Sequence, residues 1–327
     1  MCYDGAIMRP LAWLCALPLL SVAGCQAASA GAAPDAAPQA TPSTSVAQPP
    51  VSAVSAPLPP QPASSASAAP SSSDAGAHDA GPPSACPEGM APINKFCVDR
   101  WEAHLVSLDD AGHEVIHPHF ERPSEGVAYL ARSAAGVFPQ GYISRVEAAA
   151  ACKRAGKRLC SRNEWLRACQ GKRWWTWPYG ATAKRGKCNN GKVHLLSQMF
   201  GTQGRSWKYD DHFNSPRLNQ EPGFLAKAGE YAECSNAEGV FDMVGNLHEW
   251  VSDSVDDAFV ESFEAEEVER RTQPHRTGNG VFMGGFFSTT SELGPGCKYT
   301  TIAHEPTYHD YSTGFRCCQK QASPPKK

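Results

Sequence analysis

The chain lacks a dominant charge of either sign. It carries 30 Lys and Arg against 33 Asp and Glu, a formal net charge of −3 over 327 residues, and this balance points away from nucleic acid as a partner. It has no internal repeat. It has no pair of close CxxC motifs, so a zinc site, the rival use of its many cysteines, finds little support. Its only long apolar run is Leu11–Leu20, too short to cross a bilayer as a mature helix. Residues 26–85 are almost entirely Ala, Pro, Ser, Gly, Gln and Thr, without apolar periodicity. Such a stretch cannot bury a core, and its prolines keep it extended.

What is present begins with an export signal. Arg9, the apolar run and the small residues before Cys25 form the charged, apolar and small-residue parts of a secretory leader. Residues 1–7 add nothing to it, and Met8 is a candidate start. Val22-Ala23-Gly24-Cys25 resembles a bacterial lipobox, which implies lipid on Cys25 and membrane attachment; an ordinary cleaved signal is the alternative. Gln26 after that cysteine implies, by the same resemblance, the outer membrane. The organisation expected is a lipoprotein signal peptide over 1–25, a disordered linker over 26–85, one folded domain over 86–320 and a short tail over 321–327.

Thirteen cysteines occur in the chain. Setting aside Cys2, Cys15 and Cys25 leaves ten in the folded part, an even number that in an exported domain implies a disulfide framework. "CPEGMAPINKFCVDRWEA" (86–103) opens the domain, "FCVDRWE" alternates as a strand does, and a local Cys86–Cys97 bridge would close this hairpin. "SRVEAAAACKRAGKRLCSRNEWLRACQG" (144–171) reads as two helices, each opened by a capping box (Ser144 with Glu147, Ser161 with Glu164) and stopped by Gly156 or Gly171. Cys152 and Cys169 lie beside Ala and Leu and are expected to face inward. "RWWTWPYG" (173–180) reads as a core wedge against the second helix or as the aromatic wall of a groove. The chain to about 238 is loop-rich and needs fastening. "GVFMGGFFSTT" (280–290) and "STGFRCC" (312–318) read as strands, and 256–271 as a solvated acidic face. The fold class expected is α+β with little regular structure.

"GVFDMVGNLHEWVSD" (239–253) sets Asp242, Glu249 and Asp253 among apolar residues around a Gly245-Asn246 turn. Carboxylates keep such company when something binds them. Four segments now resemble one family: "AGKRLCSRNEWLRACQG", "VFDMVGNLHEW", "MGGFF" and "TGFRCC", in the family's order. The resemblance is to the formylglycine-generating enzymes, or sulfatase-modifying factors, whose domain is a variant of the C-type lectin fold. It implies a structural calcium held by Asp242, the Gly245 and Leu247 carbonyls and Glu249, a donor set that suits a hard cation; Asn189 and Asn190 match a second calcium position. Capping or ion pairing is the alternative for the two acids, and a simple turn for the asparagines. The resemblance also implies Cys152–Cys317 and Cys169–Cys297 bridges. Cys160, Cys188, Cys234 and Cys318 stay unassigned by spacing.

The family's oxidation of a substrate cysteine uses a copper held by two cysteines shortly after the "GGS" strand, since Cu(I) wants paired thiolates. Here Phe286 replaces the serine, the first thiolate position falls at Thr289 and the second near Gly294. The one nearby cysteine, Cys297, is already assigned to a bridge. Neither copper nor iron is supported: His113, His117 and His119, with His104 nearby, read as a surface cluster rather than an iron site, and His304 and His309 as isolated surface residues. His248 stands where the family has tryptophan. With Phe286, Thr289 and Trp175 it is a candidate groove residue for a peptide or small polar ligand. The expectation is a non-oxidising, membrane-tethered binding domain; the alternative is a metal-dependent oxidoreductase of the same superfamily.

Overall fold

The computed structural model describes residues 86–201, 206–262, 273–289 and 293–322. Cys25, the leader, the linker, residues 263–271 of the acidic stretch and residues 323–327 of the tail lie outside the described residues.

The opening hairpin is β1 (Met90–Ile93) against β2 (Phe96–Asp99). The Cys86–Cys97 disulfide ties its base. β2 is buried along its whole length rather than on alternate residues, because Phe96 and Val98 enter the main core while Cys97 packs with Cys86 and Met90 and Asp99 pairs with Lys157. β11 (Cys317–Lys320) covers its other edge and completes a four-stranded sheet with β6 (Arg158–Leu159), in the order β1-β2-β11-β6. A second sheet runs β4 (Glu114–Ile116), β3 (Ala103–Leu108), β5 (Leu130–Ser133). The third has the order β10 (Thr313–Phe315), β7 (His248–Ser254), β8 (Gly280–Met283), β9 (Thr300–Thr301), and its β10–β7 pair is parallel.

The helices α1 (Arg145–Arg154) and α2 (Arg162–Gln170) begin at the capping boxes read from the sequence, with Ser144 and Ser161 each accepting from a backbone N–H three residues on. Each cap contributes about 1 kcal/mol. Cys152 and Cys169 are fully buried on these helices. The short helices α3 (Leu195–Phe200) and α4 (Asp257–Glu261) complete the regular elements beside single helical turns.

Two segments depart from their sequence reading. The strand in "GVFMGGFFSTT" stops at Met283, because Gly284 and Gly285 adopt positive φ (84° and 73°) and turn the chain. "STGFRCC" is two strands in different sheets: Arg316 is the step between β10 and β11. Five disulfides fasten the irregular remainder: Cys86–Cys97, Cys152–Cys317, Cys160–Cys318, Cys169–Cys297 and Cys188–Cys234. Three close loops of more than a hundred residues, each removing roughly 4–5 kcal/mol of unfolded-state freedom in the loop-entropy account.

Candidate functional site

The turn at Gly245-Asn246 hangs on backbone geometry that few residues tolerate. Asp242 and Asn246 both have positive φ (57° and 59°), and a Cβ on Gly245 would lie 2.1 Å from the Asn189 carbonyl oxygen. This turn delivers the start of β7 into a buried charge centre. Glu249 accepts from Arg316 through both oxygens (Nε at 2.6 Å, Nη2 at 2.7 Å) and from the Trp165 indole N–H at 2.7 Å. Arg316 is fully buried and also donates to the carbonyls of Asp99 and Phe241. Glu102, from the segment before β3, accepts from the Asn246 amide and from the Leu247 N–H. Asp242 accepts from the Gly229 N–H at 2.6 Å.

Three buried carboxylates therefore face one guanidinium. Burial, then the neighbouring Asp242 and Glu249, push the Glu102 carboxyl well above its usual range. Burial pushes Asp242 up to about 7, against the opposing pull of the Gly229 N–H and Arg316. Burial works against the Arg316 charge too, yet Glu249 beside it holds its pKa above the usual value. The sequence reading singled out Asp242 and Glu249 but missed Arg316 and Glu102. The available signals were an arginine inside the apolar "TGFRCC" and a glutamate inside "RWEAHLV".

The charge excess suits a divalent cation near Asp242. Among the described residues, however, no three His, Cys, Asp or Glu side chains converge as a metal-binding group, so an ion there would depend on the Gly245 and Leu247 carbonyls. Asn189 is buried beside this turn; its amide nitrogen donates to Phe224 and Asn246, and its side-chain oxygen has no hydrogen-bond partner. The neighbouring Lys192 ammonium already caps the carbonyls of Gly223 (2.6 Å) and Phe224 (2.8 Å), placing a cation of the chain's own on the Asn189–Asn190 loop.

The positions of the family's copper thiolates are built differently. Thr289 is buried, and its hydroxyl is bound to the Phe286 N–H and carbonyl. Phe286 packs on His248 at 5.0 Å and on Tyr311 at 5.7 Å between ring centroids. His248 also packs on Phe282 and Tyr299, and burial lowers it to about 3. Gly294 adopts φ 110°, and Cys297 is fully buried in its bond to Cys169. A hydroxyl held by its own turn, a glycine and a disulfide sulfur do not fit a thiolate-held copper.

His248, Phe286 and Thr289 thus share one buried cluster. Trp175 stands apart from them, half-buried in a cleft with Arg173, Asn236 and Glu238. Of the tryptophans in "RWWTWPYG" only Trp177 enters the core, and Trp174 is 65% exposed, so the segment is not a core wedge. The upstream histidines do not form a surface cluster. His104 is buried in β3 and lowered to about 4, chiefly by burial; His117 is buried and bonded to the Glu121 carbonyl; His119 stacks on Phe138 and bonds to the Asn219 carbonyl; His113 alone is well exposed. His304 is half-buried, packed between Tyr308 and Phe282.

Residues 97–321 match the family described as "Sulfatase-modifying factor enzyme 1-like domain". No curated protein matches the chain. Among solved structures, the Major Tropism Determinant U1 variant is similar at 14% identity and a TM-score of 0.38, over 73% of this chain and 54% of that one. The chain therefore spans about half the length of that protein. Treponema denticola variable protein 1 is similar at 12% identity and a TM-score of 0.40, over 71% of this chain and 98% of its own. CarF is similar at 15% identity and a TM-score of 0.37, over 69% and 87%.

Proposed function

Because the chain belongs to the sulfatase-modifying factor enzyme 1-like family, we propose that it is an exported, membrane-tethered member that binds a ligand without oxidising it. The observation that carries this reading is the bonding of Cys297. It is the one cysteine near the Thr289 and Gly294 positions, and its sulfur is committed to Cys169. All ten cysteines from Cys86 to Cys318 are paired, so the domain offers no thiolate pair to Cu(I). The test is whether a peptide carrying a sulfatase-type cysteine gains an aldehyde when incubated with the protein, Cu(I) and oxygen; the expected result is none.

The tether is the lipid on Cys25 followed by the Pro- and Ala-rich residues 26–85, and the destination is the outer membrane. Fractionation checks it: Cys25→Ala is expected to move the protein from the membrane to the soluble fraction, and an unchanged distribution would sink this part. Calcium, held by Asp242, Glu249 and the Gly245 and Leu247 carbonyls, is proposed as a structural ion. Its support is the excess of buried negative charge around Arg316 and the suitability of carboxylate and carbonyl oxygens for a hard cation. Its contribution would be to offset the mutual repulsion of Glu102, Asp242 and Glu249.

A further inference from the structure

The overall charge of −3 hides a segregated distribution. Residues 153–187 contain eleven Lys and Arg and a single acid, Glu164. Part of this charge is used internally, since Lys157 pairs with Asp99, Arg158 with Glu164 and Lys187 with Glu233. The remainder reaches the surface alongside the aromatic residues 174–179. Three concavities follow one another along this segment, and each sets an aromatic ring beside cations. The first, 660 Å³, joins Trp174 to Lys95 and Arg167. The second, 370 Å³, joins Trp175 to Lys172 and Arg173. The third, 290 Å³, joins Trp177 and Tyr179 to Lys184 and Arg185.

The rings are posed rather than merely left outside. Trp174 is exposed although its φ is 55°, a left-handed conformation that costs a non-glycine residue roughly 1–2 kcal/mol. The Arg167 guanidinium lies 5.5 Å from its ring centroid, that of Arg173 4.9 Å from Trp175, and the Lys187 ammonium 5.4 Å from Tyr179. At Trp174 and Trp175 a cation stacked on one face fixes the ring and leaves its other face for a ligand, whereas Tyr179 is stacked on the buried Trp177 as well and the third concavity contributes its cations. Only Glu164, already bound to Arg158, and Glu238, whose carboxylate lies 4.0 Å from Arg167, oppose the positive charge in the lining of these concavities.

We propose that this surface binds an acidic polysaccharide, with sugar rings stacking in consecutive aromatic concavities and their carboxylates paired with Lys172, Arg173, Lys184 and Arg185. Charge complementarity calls for an anionic partner, and two ring sites, Trp174 and Trp175, in neighbouring positions beside a third, cationic concavity call for a chain of ringed units. A single-stranded nucleic acid shares this chemistry, but a disulfide-fastened domain belongs to an oxidising compartment, where acidic glycans are the accessible anionic chains. The inference is independent of the cluster around Phe286 and holds whether or not that cluster has chemistry.

The test is titration of the full chain with oligogalacturonate, followed by tryptophan fluorescence and calorimetry across a salt series. Saturable binding that weakens as salt rises is expected. Lys172→Ala with Arg173→Ala, and separately Trp174→Ala, are each expected to weaken it roughly tenfold. These residues are exposed, so an unchanged melting temperature confirms that the fold survives, and Trp174→Phe should retain most of the affinity. No saturable binding at low salt, or equal binding of neutral dextran, would overturn the proposal. So would tighter binding of oligothymidylate or of anionic phospholipid vesicles. Charge variants that weaken binding while Trp174→Ala leaves it intact would overturn the ring-stacking arrangement.

Discussion

Two regions, the Arg316 charge centre and the segment Phe286–Cys297, tell opposite stories. Toward the end of the chain, Arg316, its partners Glu249 and Phe241, and Trp165, which donates to Glu249, draw on three of the four motifs that resemble the family, and their hydrogen bonds are complete. At Phe286–Cys297, following the other motif, the backbone turn is kept but each chemically active position is exchanged: a phenylalanine, a threonine bound to its own turn, a glycine and a disulfide sulfur. The chain thus shares the family's α+β, disulfide-fastened, C-type lectin-type fold while carrying other groups at the oxidising positions. The buried charge centre and the Phe286–Thr289 turn rest on different residues.

The contrast breaks most readily at Arg316. Arg316→Met leaves Glu249 buried without its cation, which typically costs about 3–5 kcal/mol, and urea unfolding should show a loss of that size. Thr289→Ala removes one buried hydroxyl with local partners and should cost only about 1 kcal/mol. Comparable losses at the two positions would show that the Phe286–Thr289 turn is as structural as the charge centre.

A smaller effect sharpens the account of the charge centre itself. With calcium at a hundred times its dissociation constant, a native-state site adds about 2.7 kcal/mol. A chelator should therefore lower the melting temperature of the wild type and leave a Glu249→Gln protein, already weakened, unresponsive. A wild type indifferent to the chelator would remove the ion and leave Arg316 as the sole counter-charge.

The smallest effect comes from His104 in β3, away from both regions. Burial first, with Arg132 and Lys157 adding to it against Glu114, lowers its pKa from 6.5 to about 4. The unfolded chain binds a proton below 6.5 that the native state refuses until about 4. The stability from the neutral ring is complete above 6.5 and is lost as pH falls through that window. His104→Gln should flatten the stability profile between those values, and an unaltered slope would show that the ring protonates in place.

Much of the fold was legible because its signals are local. The capping boxes of α1 and α2 need only residues three apart, and the "DMVGN" acids stand out against their apolar neighbours. The pairings around Arg316 were not legible, because they join residues more than 60 apart in sequence. The Trp174–Trp177 segment misled for a related reason. Aromatic composition alone suggests burial, whereas Trp174 is 65% exposed and only Trp177 enters the core. The end of β8 followed from Gly284-Gly285, a pair that the sequence displays but that pattern reading treats as part of the strand.

Aldehyde formation separates a scaffold without oxidising thiolates from a working oxidase. The purified protein, Cu(I), oxygen and a peptide carrying a sulfatase-type cysteine are incubated together, and the peptide is probed with an aldehyde-specific label and weighed by mass spectrometry. The account predicts a peptide mass unchanged by conversion and no label above a protein-free control. A labelled peptide whose signal disappears in Cys297→Ser would contradict it, showing that the Cys169–Cys297 bridge opens to supply the metal thiolate.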